Sequence, residues 1–267
     1  MKTLQNCRKI DFHTHLYPEK VAQKALAFTE RLGLKAYSDG TRAGLEHTMQ
    51  QVGIDLSVGM ALVNAPENTR NINLFAAENN HGCVCMYGSV YPGDPNALDA
   101  ISHIYDLGLY GIKVHPEYQR FCFEDSSLFP LWEKCIELNL PVLTHAGADI
   151  AYSEPFNSDP VRLAAFRRRY PELRFIIAHL GSYSMWDEVE EHLIGMDVYM
   201  DISAADSLEP ERMLRMIRNH GANRILFASD SPWFDPQKMV DIIDSLPLTP
   251  EEHAMITHEN AITLLRR

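Results

Sequence analysis

Short apolar runs, several rich in β-branched residues, recur along the chain with amphipathic stretches between them, and this alternation sets the first expectation. The runs are Ile10 to Thr14, Leu56 to Val63, Val84 to Val90, Gly111 to His115, Pro141 to His145, Arg174 to His179, Val198 to Ile202 and Arg224 to Ala228. Each has the length of a buried strand. Between them apolar residues fall at helical spacing, as in Leu98, Ile101, Ile104, Tyr105 and Leu107, or Met213, Leu214, Met216 and Ile217. Pro18, Pro160, Pro210 and Pro236 suit first helical turns, where the missing N–H costs nothing; Gly53, Gly108 and Gly221 fall where helices should stop. The tail from Pro250 to Arg267 reads as a closing helix on the outside, with His253 and His258 at the surface.

Strand and helix in regular alternation predict an α/β fold with a parallel sheet. The chain has 267 residues, no Ser/Gly-rich linker, no composition shift and no repeat of fixed period. A single domain, residues 1–267, of the (β/α)8 TIM-barrel class follows, since such barrels typically run to about 250 residues. An open doubly wound sheet is the competing arrangement. It would spread the polar strand ends too widely to meet.

Those polar ends carry the chemistry. In Ile10-Asp11-Phe12-His13-Thr14-His15, two histidines two apart in an extended segment project from the same face. His-x-His alone is a weak signal in a chain with 12 histidines. The arrangement recurs, however, in Val142-Leu143-Thr144-His145, Ile176-Ile177-Ala178-His179 and Ile225-Leu226-Phe227-Ala228-Ser229-Asp230, each ending in a zinc-type donor. In a barrel all strand carboxyl ends share one rim, so these residues can meet as a metal site.

Composition narrows the class. Hydrophobic residues make up 46% and charged residues 22%, an ordinary globular balance. A net charge of -12 without a long basic cluster argues against nucleic acid, and Arg167-Arg168-Arg169 reads as the solvated end of a helix. No run approaches the roughly 20 apolar residues needed to span a bilayer. Cys7, Cys83, Cys85, Cys122 and Cys135 form neither an even disulfide set nor a CxxC pattern, and the N-terminus lacks an apolar signal segment. The expectation is a reducing, cytoplasmic setting, with Cys83 and Cys85 buried on one face of a strand.

At this level of detail the chain resembles the amidohydrolase superfamily, in its amidohydrolase-related (amidohydrolase 2) branch, which includes aminocarboxymuconate semialdehyde decarboxylase and its relatives. Asp11-Phe12-His13-Thr14-His15-Leu16-Tyr17-Pro18 resembles the branch's opening motif, Gly111-Ile112-Lys113-Val114-His115-Pro116 its fourth strand, and Ala178-His179-Leu180-Gly181 its sixth. Ala228-Ser229-Asp230-Ser231-Pro232-Trp233 and Glu259-Asn260-Ala261 complete a match over nearly the whole chain.

The resemblance implies that His13, His15, His145 and Asp230 ligate one divalent metal, most often Zn2+, with Mn2+ the other expectation. It also implies that Asp230 serves as general base and that His179 orients water or polarises a carbonyl. Neutral imidazoles and a carboxylate suit such an ion, and an open coordination position can bring the pKa of bound water to about 7. Relatives with two metals carboxylate a fourth-strand lysine to bridge the ions; here Lys113, with His145 and His179, would complete that second site. Single-metal relatives share a similar Gly-x-Lys-x-His-Pro stretch, so one metal is the expectation.

Substrate contacts are expected in the loops after the strands: Tyr17, Asn64, Glu117 to Arg120, and Gly147 to Asp159. Tyr17, His115 and Trp233, the last beside Phe234, are the named candidates. Arg42, Arg70 and Arg120 are candidates for a substrate carboxylate, though none lies in a specific motif. The leading expectation is hydrolysis of an amide, lactone or ester of a small molecule. The alternative is non-oxidative decarboxylation of a small unsaturated or aromatic acid, a carbon–carbon lyase reaction; a third reading is a non-catalytic metal-binding protein. Neither nucleic acid nor membrane is expected as a partner, and a homodimer is the assembly such barrels often adopt.

Overall fold

A computed structural model of the protein describes residues 4–266. The strands are β1 (Ile10–Thr14), β2 (Leu56–Met60), β3 (Val84–Ser89), β4 (Ile112–Val114), β5 (Val142–Thr144), β6 (Phe175–Ile177), β7 (Tyr199–Asp201) and β8 (Ile225–Leu226). Helices α1 (Glu19–Arg31), α2 (Arg42–Val52), α3 (Thr69–Asn79), α4 (Ala97–Asp106), α5 (Pro116–Gln119) and α6 (Phe129–Glu137) intervene in the first half. The second half adds α7 (Pro160–Arg169), α8 (Trp186–His192), α9 (Pro210–His220), α10 (Pro236–Ser245), α11 (Pro250–Ala254) and α12 (Asn260–Leu265). The strands are neighbours in the order β1 to β8, and the fold is the expected (β/α)8 barrel. Among the described residues no helix is long and apolar enough to cross a membrane.

The chain forms two compact units. The first, residues up to 60, 81–85 and 201–266, holds β1, β2, β8, α1, α2 and α9 to α12. There β1 pairs in parallel with β2, Ile10 against Leu56, and on its other side Phe12 N–H donates to the Phe227 carbonyl at 2.9 Å. The second unit, residues 61–80 and 86–200, holds α3 to α8, β4 to β6 and most of β3 and β7. Its ladder runs Gly88–Ile112–Val142–Phe175 across β3, β4, β5 and β6, all parallel. β1 to β6 are buried along their whole length, as parallel strands covered on both faces are. Under the helices of the second unit, Phe123, Trp132, Phe166 and Phe175 pack ring against ring.

Helix boundaries follow local chemistry. Thr41 caps α2 by accepting from Gly44 N–H, and Gly53 ends it at φ 74°, a conformation glycine adopts without a Cβ penalty. Pro160, Pro210 and Pro236 open α7, α9 and α10 as expected, whereas Pro18 stands just before α1. The tail is helical, but Met255–Glu259 is a π-helical turn between α11 and α12. That turn carries His258 inward, so His258 is buried against the surface expectation; His253 is half-exposed and meets Asp244 at 2.9 Å. Arg167 also departs from expectation: it is buried, donating to the Tyr170 and Leu173 carbonyls. Cys85 is buried on β3, while Cys83 lies before the strand, half-buried, with its thiol toward Glu46.

The strands stop earlier than the apolar runs. His145 lies just past β5, His179 past β6 and Asp230 past β8.

Candidate metal centre

In the first unit β1 and the segment after β8 interlock through the residues of interest. Asp230 N–H donates to the His13 carbonyl at 2.8 Å, and His15 N–H to the Ser231 carbonyl at 2.6 Å. Asp230 itself sits at φ 66°, a left-handed conformation that costs an ordinary residue about 1–2 kcal/mol and that the two flanking bonds hold in place. Its Oδ1 lies 3.1 Å from His15 Nε2 and 3.6 Å from His13 Nε2. One donor atom from each of these three residues falls within 4.8 Å of the others, and the 3.1 and 3.6 Å separations are ones that two bonds of about 2.0–2.2 Å to one ion can span. Two imidazoles and a carboxylate suit Zn2+ or Mn2+.

Buried carboxylates surround this cluster. Asp201, at the end of β7, meets His13 Nδ1 at 2.9 Å. Asp11 accepts from Ser229 N–H (2.9 Å), Ser229 Oγ (2.5 Å) and His13 N–H (3.3 Å), tying β1 to the Asp230 segment. Burial pushes the Asp11 carboxyl up to about 7 against the lowering effect of those bonds, with the Asp201 charge adding to the rise. Tyr17 is half-buried; burial and the Asp230 carboxylate raise its phenol above the ordinary value. Its ring lies 6.4 Å from that of Trp233, and the Trp233 backbone N–H donates to the Asp230 carbonyl.

The second unit carries a different cluster. His145 Nδ1 and His179 Nε2 are 3.1 Å apart, close enough to share a proton or to hold an ion between them. His179 and Leu180 have φ of 61° and 50°, so this strand end, like Asp230, is left-handed. The His115 ring stacks on His145 at 4.0 Å with planes 4° apart, and meets Tyr118 edge-on at 4.4 Å. Each His115 ring nitrogen faces a carboxylate: Nε2 lies 3.4 Å from Asp149 and Nδ1 3.5 Å from Glu117. Glu117 is buried and accepts from Asn157 N–H, Ser158 N–H and Ser158 Oγ at 2.8–3.2 Å, pinning the far end of the loop after β5. Tyr118 in turn meets Tyr152 of that loop at 5.2 Å. Lys113 is buried on β4.

Of the residues expected from the sequence, His13, His15 and Asp230 come together in the first unit, with Tyr17 and Trp233 beside Asp230. His115, His145 and His179 come together in the second. Of the arginine candidates, Arg42 is held by Glu46 (2.9 Å) and the His81 carbonyl (2.8 Å), and Arg70 and Arg120 are exposed. Asp11, Asp201 and Ser203 were not anticipated, and Asp149 only as part of the Gly147 to Asp159 segment. Asp201 and Ser203 had a signal, being polar residues two apart at the end of an apolar run, the same spacing as His13 and His15.

The family model described as Amidohydrolase matches residues 10–267. Among curated proteins no sequence matches the chain. Solved structures do. The fold is similar to that of 5-carboxyvanillate decarboxylase from Sphingomonas paucimobilis, with a TM-score of 0.74 and 16% identity over 97% of this chain and 99% of that chain. It is similar to 2,6-dihydroxybenzoate decarboxylase from Rhizobium, with a TM-score of 0.74 and 16% identity over 96% of this chain and 98% of that one. A dihydroxybenzoic acid decarboxylase from Polaromonas sp. JS666, solved with bound manganese and the inhibitor 2-nitroresorcinol, matches at TM-score 0.75 and 18% identity over 96% of both chains. At these identities the likeness establishes the fold.

Proposed function

The chain belongs to the amidohydrolase family, and from that premise we propose that it is a divalent-metal-dependent, non-oxidative decarboxylase of a small hydroxylated aromatic acid. The observation that carries the reading is the His13, His15 and Asp230 cluster, joined to whole-length likeness to decarboxylases of such acids. The sequence alone puts hydrolysis first, but these decarboxylases are matched over 96–99% of their own length. The family match over residues 10–267 likewise supports reading residues 1–267 as one catalytic domain.

His13, His15 and Asp230 are the ligands in this reading, with His145 the fourth as the family pattern implies. The ion, when bound, supplies positive charge that holds a substrate carboxylate and stabilises charge on the ring. Asp230 relays a proton from solvent water to the ring carbon as the bond to the carboxyl group breaks. The electron pair of that bond stays on the ring, takes the proton, and CO2 leaves. His179 orients the acid, and Tyr17, Trp233 and His115 contact the ring.

A second reading, hydrolysis of an amide, ester or lactone, is favoured by one observation: His145 and His179 nitrogens 3.1 Å apart, with Lys113 buried on β4. A carboxylated Lys113 with those two histidines would hold a second ion and suit attack by water.

The test is to load the purified protein with Mn2+ or Zn2+ and offer hydroxybenzoates, unsaturated acids, esters, lactones and amides in D2O. Release of CO2 with one deuterium at the vacated carbon is the expected result. Turnover of esters, lactones or amides alone, with about two metals per chain, would install the hydrolase reading. Metal binding without turnover of either group would overturn both.

A further inference from the structure

We propose that Asp201, buttressed by Ser203, is the positioning residue that makes His13 a metal ligand through Nε2. The inference rests on the metal reading above and adds a residue that reading does not use. His13, Asp201 and Ser203 are all buried, at 1%, 0% and 0% exposure, so bulk water does not satisfy their polar atoms. Asp201 Oδ2 lies 2.9 Å from His13 Nδ1. Asp201 Oδ1 accepts from Ser203 N–H at 3.0 Å and from the Ser203 hydroxyl in a short bond.

The proton assignment follows from the carboxylate partner. A carboxylate only accepts, so the Asp201 oxygen 2.9 Å from Nδ1 places the ring proton on that nitrogen. Ser203 Oγ donates to Asp201 Oδ1 and lies 3.2 Å from the same Nδ1. Nε2 is left with its lone pair on the side of Asp230, 3.6 Å from Oδ1. A ligating imidazole held by a carboxylate at its other nitrogen has its tautomer and ring orientation fixed and its basicity raised.

Asp201→Asn is the decisive variant. It keeps the shape but can offer an N–H to His13 Nδ1, which would move the ring proton to Nε2 and block ligation. Mn2+ and Zn2+ affinities, read by competition with a chromophoric chelator, should weaken about 10–100-fold in Asp201→Asn and by less in Ser203→Ala. Equal affinity of Asp201→Asn and wild type, within about twofold and with both folded by circular dichroism, would overturn the inference while leaving the metal reading intact. A wild type that binds neither metal would instead bring down the metal reading, and this inference with it. Should the variant fail to fold, long-range 1H–15N correlation spectra of the metal-free wild type decide the matter. A protonated Nδ1 on His13, assigned against His13→Gln, is expected; a protonated Nε2 would overturn the assignment.

Discussion

His13 and His15 in the first unit have ring centroids 5.2 Å apart and planes tilted by 50°, whereas His115 and His145 in the second lie 4.0 Å apart and 4° from parallel. Distance alone would nominate both as metal sites, since His115, His145 and Asp149 also bring donor atoms within 4.8 Å of one another. Orientation separates them. An imidazole lone pair lies in the ring plane, so tilted rings can aim at one ion, while two stacked rings point along parallel lines and an ion can lie in the plane of only one. The carboxylates are arranged to match: Asp230 sits between the Nε2 atoms of the first pair, but Asp149 and Glu117 sit at opposite edges of His115. Convergence of donors is what a cation needs; stacking fixes a ring against its neighbour. His115 is therefore read as a wall that orients His145, leaving His145 itself able to ligate.

The largest expected effect tests that division directly. His13→Ala should empty the site, lowering metal content well below one per chain and turnover by more than about a thousand-fold, with the fold retained. His115→Ala should keep its metal and lose about tenfold in turnover, the scale of one aromatic contact. Elemental analysis and kinetics on the two variants side by side settle it. Loss of metal from His115→Ala would erase the distinction between the clusters.

How much of this could be read from the sequence follows from the same physics. The alternation of apolar runs and amphipathic stretches survives as β1 to β8 and their helices, because strands buried on both faces tolerate few polar residues. His13, His15 and Asp230 were legible for a related reason: expensive polar groups at the ends of apolar runs need a purpose. Glu117 was legible only as part of a loop expected to touch substrate, and Asp201 only as a polar residue ending an apolar run; what each carboxylate serves shows once its partner, Ser158 or His13, is placed. His258 was misplaced because a π-helical turn rotates the residues beyond it relative to ideal helical spacing. β5, β6 and β8 are shorter than their apolar runs because apolar composition continues past the regular strand, into segments where His179 and Asp230 take left-handed backbone.

A middle-sized effect sharpens the comparison from the second unit. Glu117→Gln preserves shape but removes the charge that accepts from Asn157 N–H, Ser158 N–H and Ser158 Oγ. Charge-assisted bonds to buried groups are worth about 1.5–3 kcal/mol, so melting should fall by several degrees for a chain of this size, at about 2–4 °C per kcal/mol. Amide exchange at 157 and 158 should accelerate first, and metal content should not change. Metal loss in Glu117→Gln would mean that the wall of the second unit is needed to assemble the ligands.

The smallest effect lies in the first unit, at Asp11, and shows only as a pH dependence. Burial raises this carboxyl from an ordinary 3.8 to about 7, so in metal-free protein the folded state holds a proton that the unfolded state has released. A folded-state value above the unfolded one contributes stability that is complete below about pH 4 and lost as pH rises through about 7. Melting of the metal-free wild type should therefore lose a few degrees from this group between about pH 5 and 8, and Asp11→Asn should lose less over the same range. Bound metal should flatten the wild-type slope, because a nearby divalent charge favours the carboxylate. An Asp11→Asn variant with an unchanged slope would mean that Asp11 is already ionised in the metal-free fold. The bonds from Ser229 and His13 would then outweigh burial, and the first unit would hold its ligand strands together by charge even before a cation arrives.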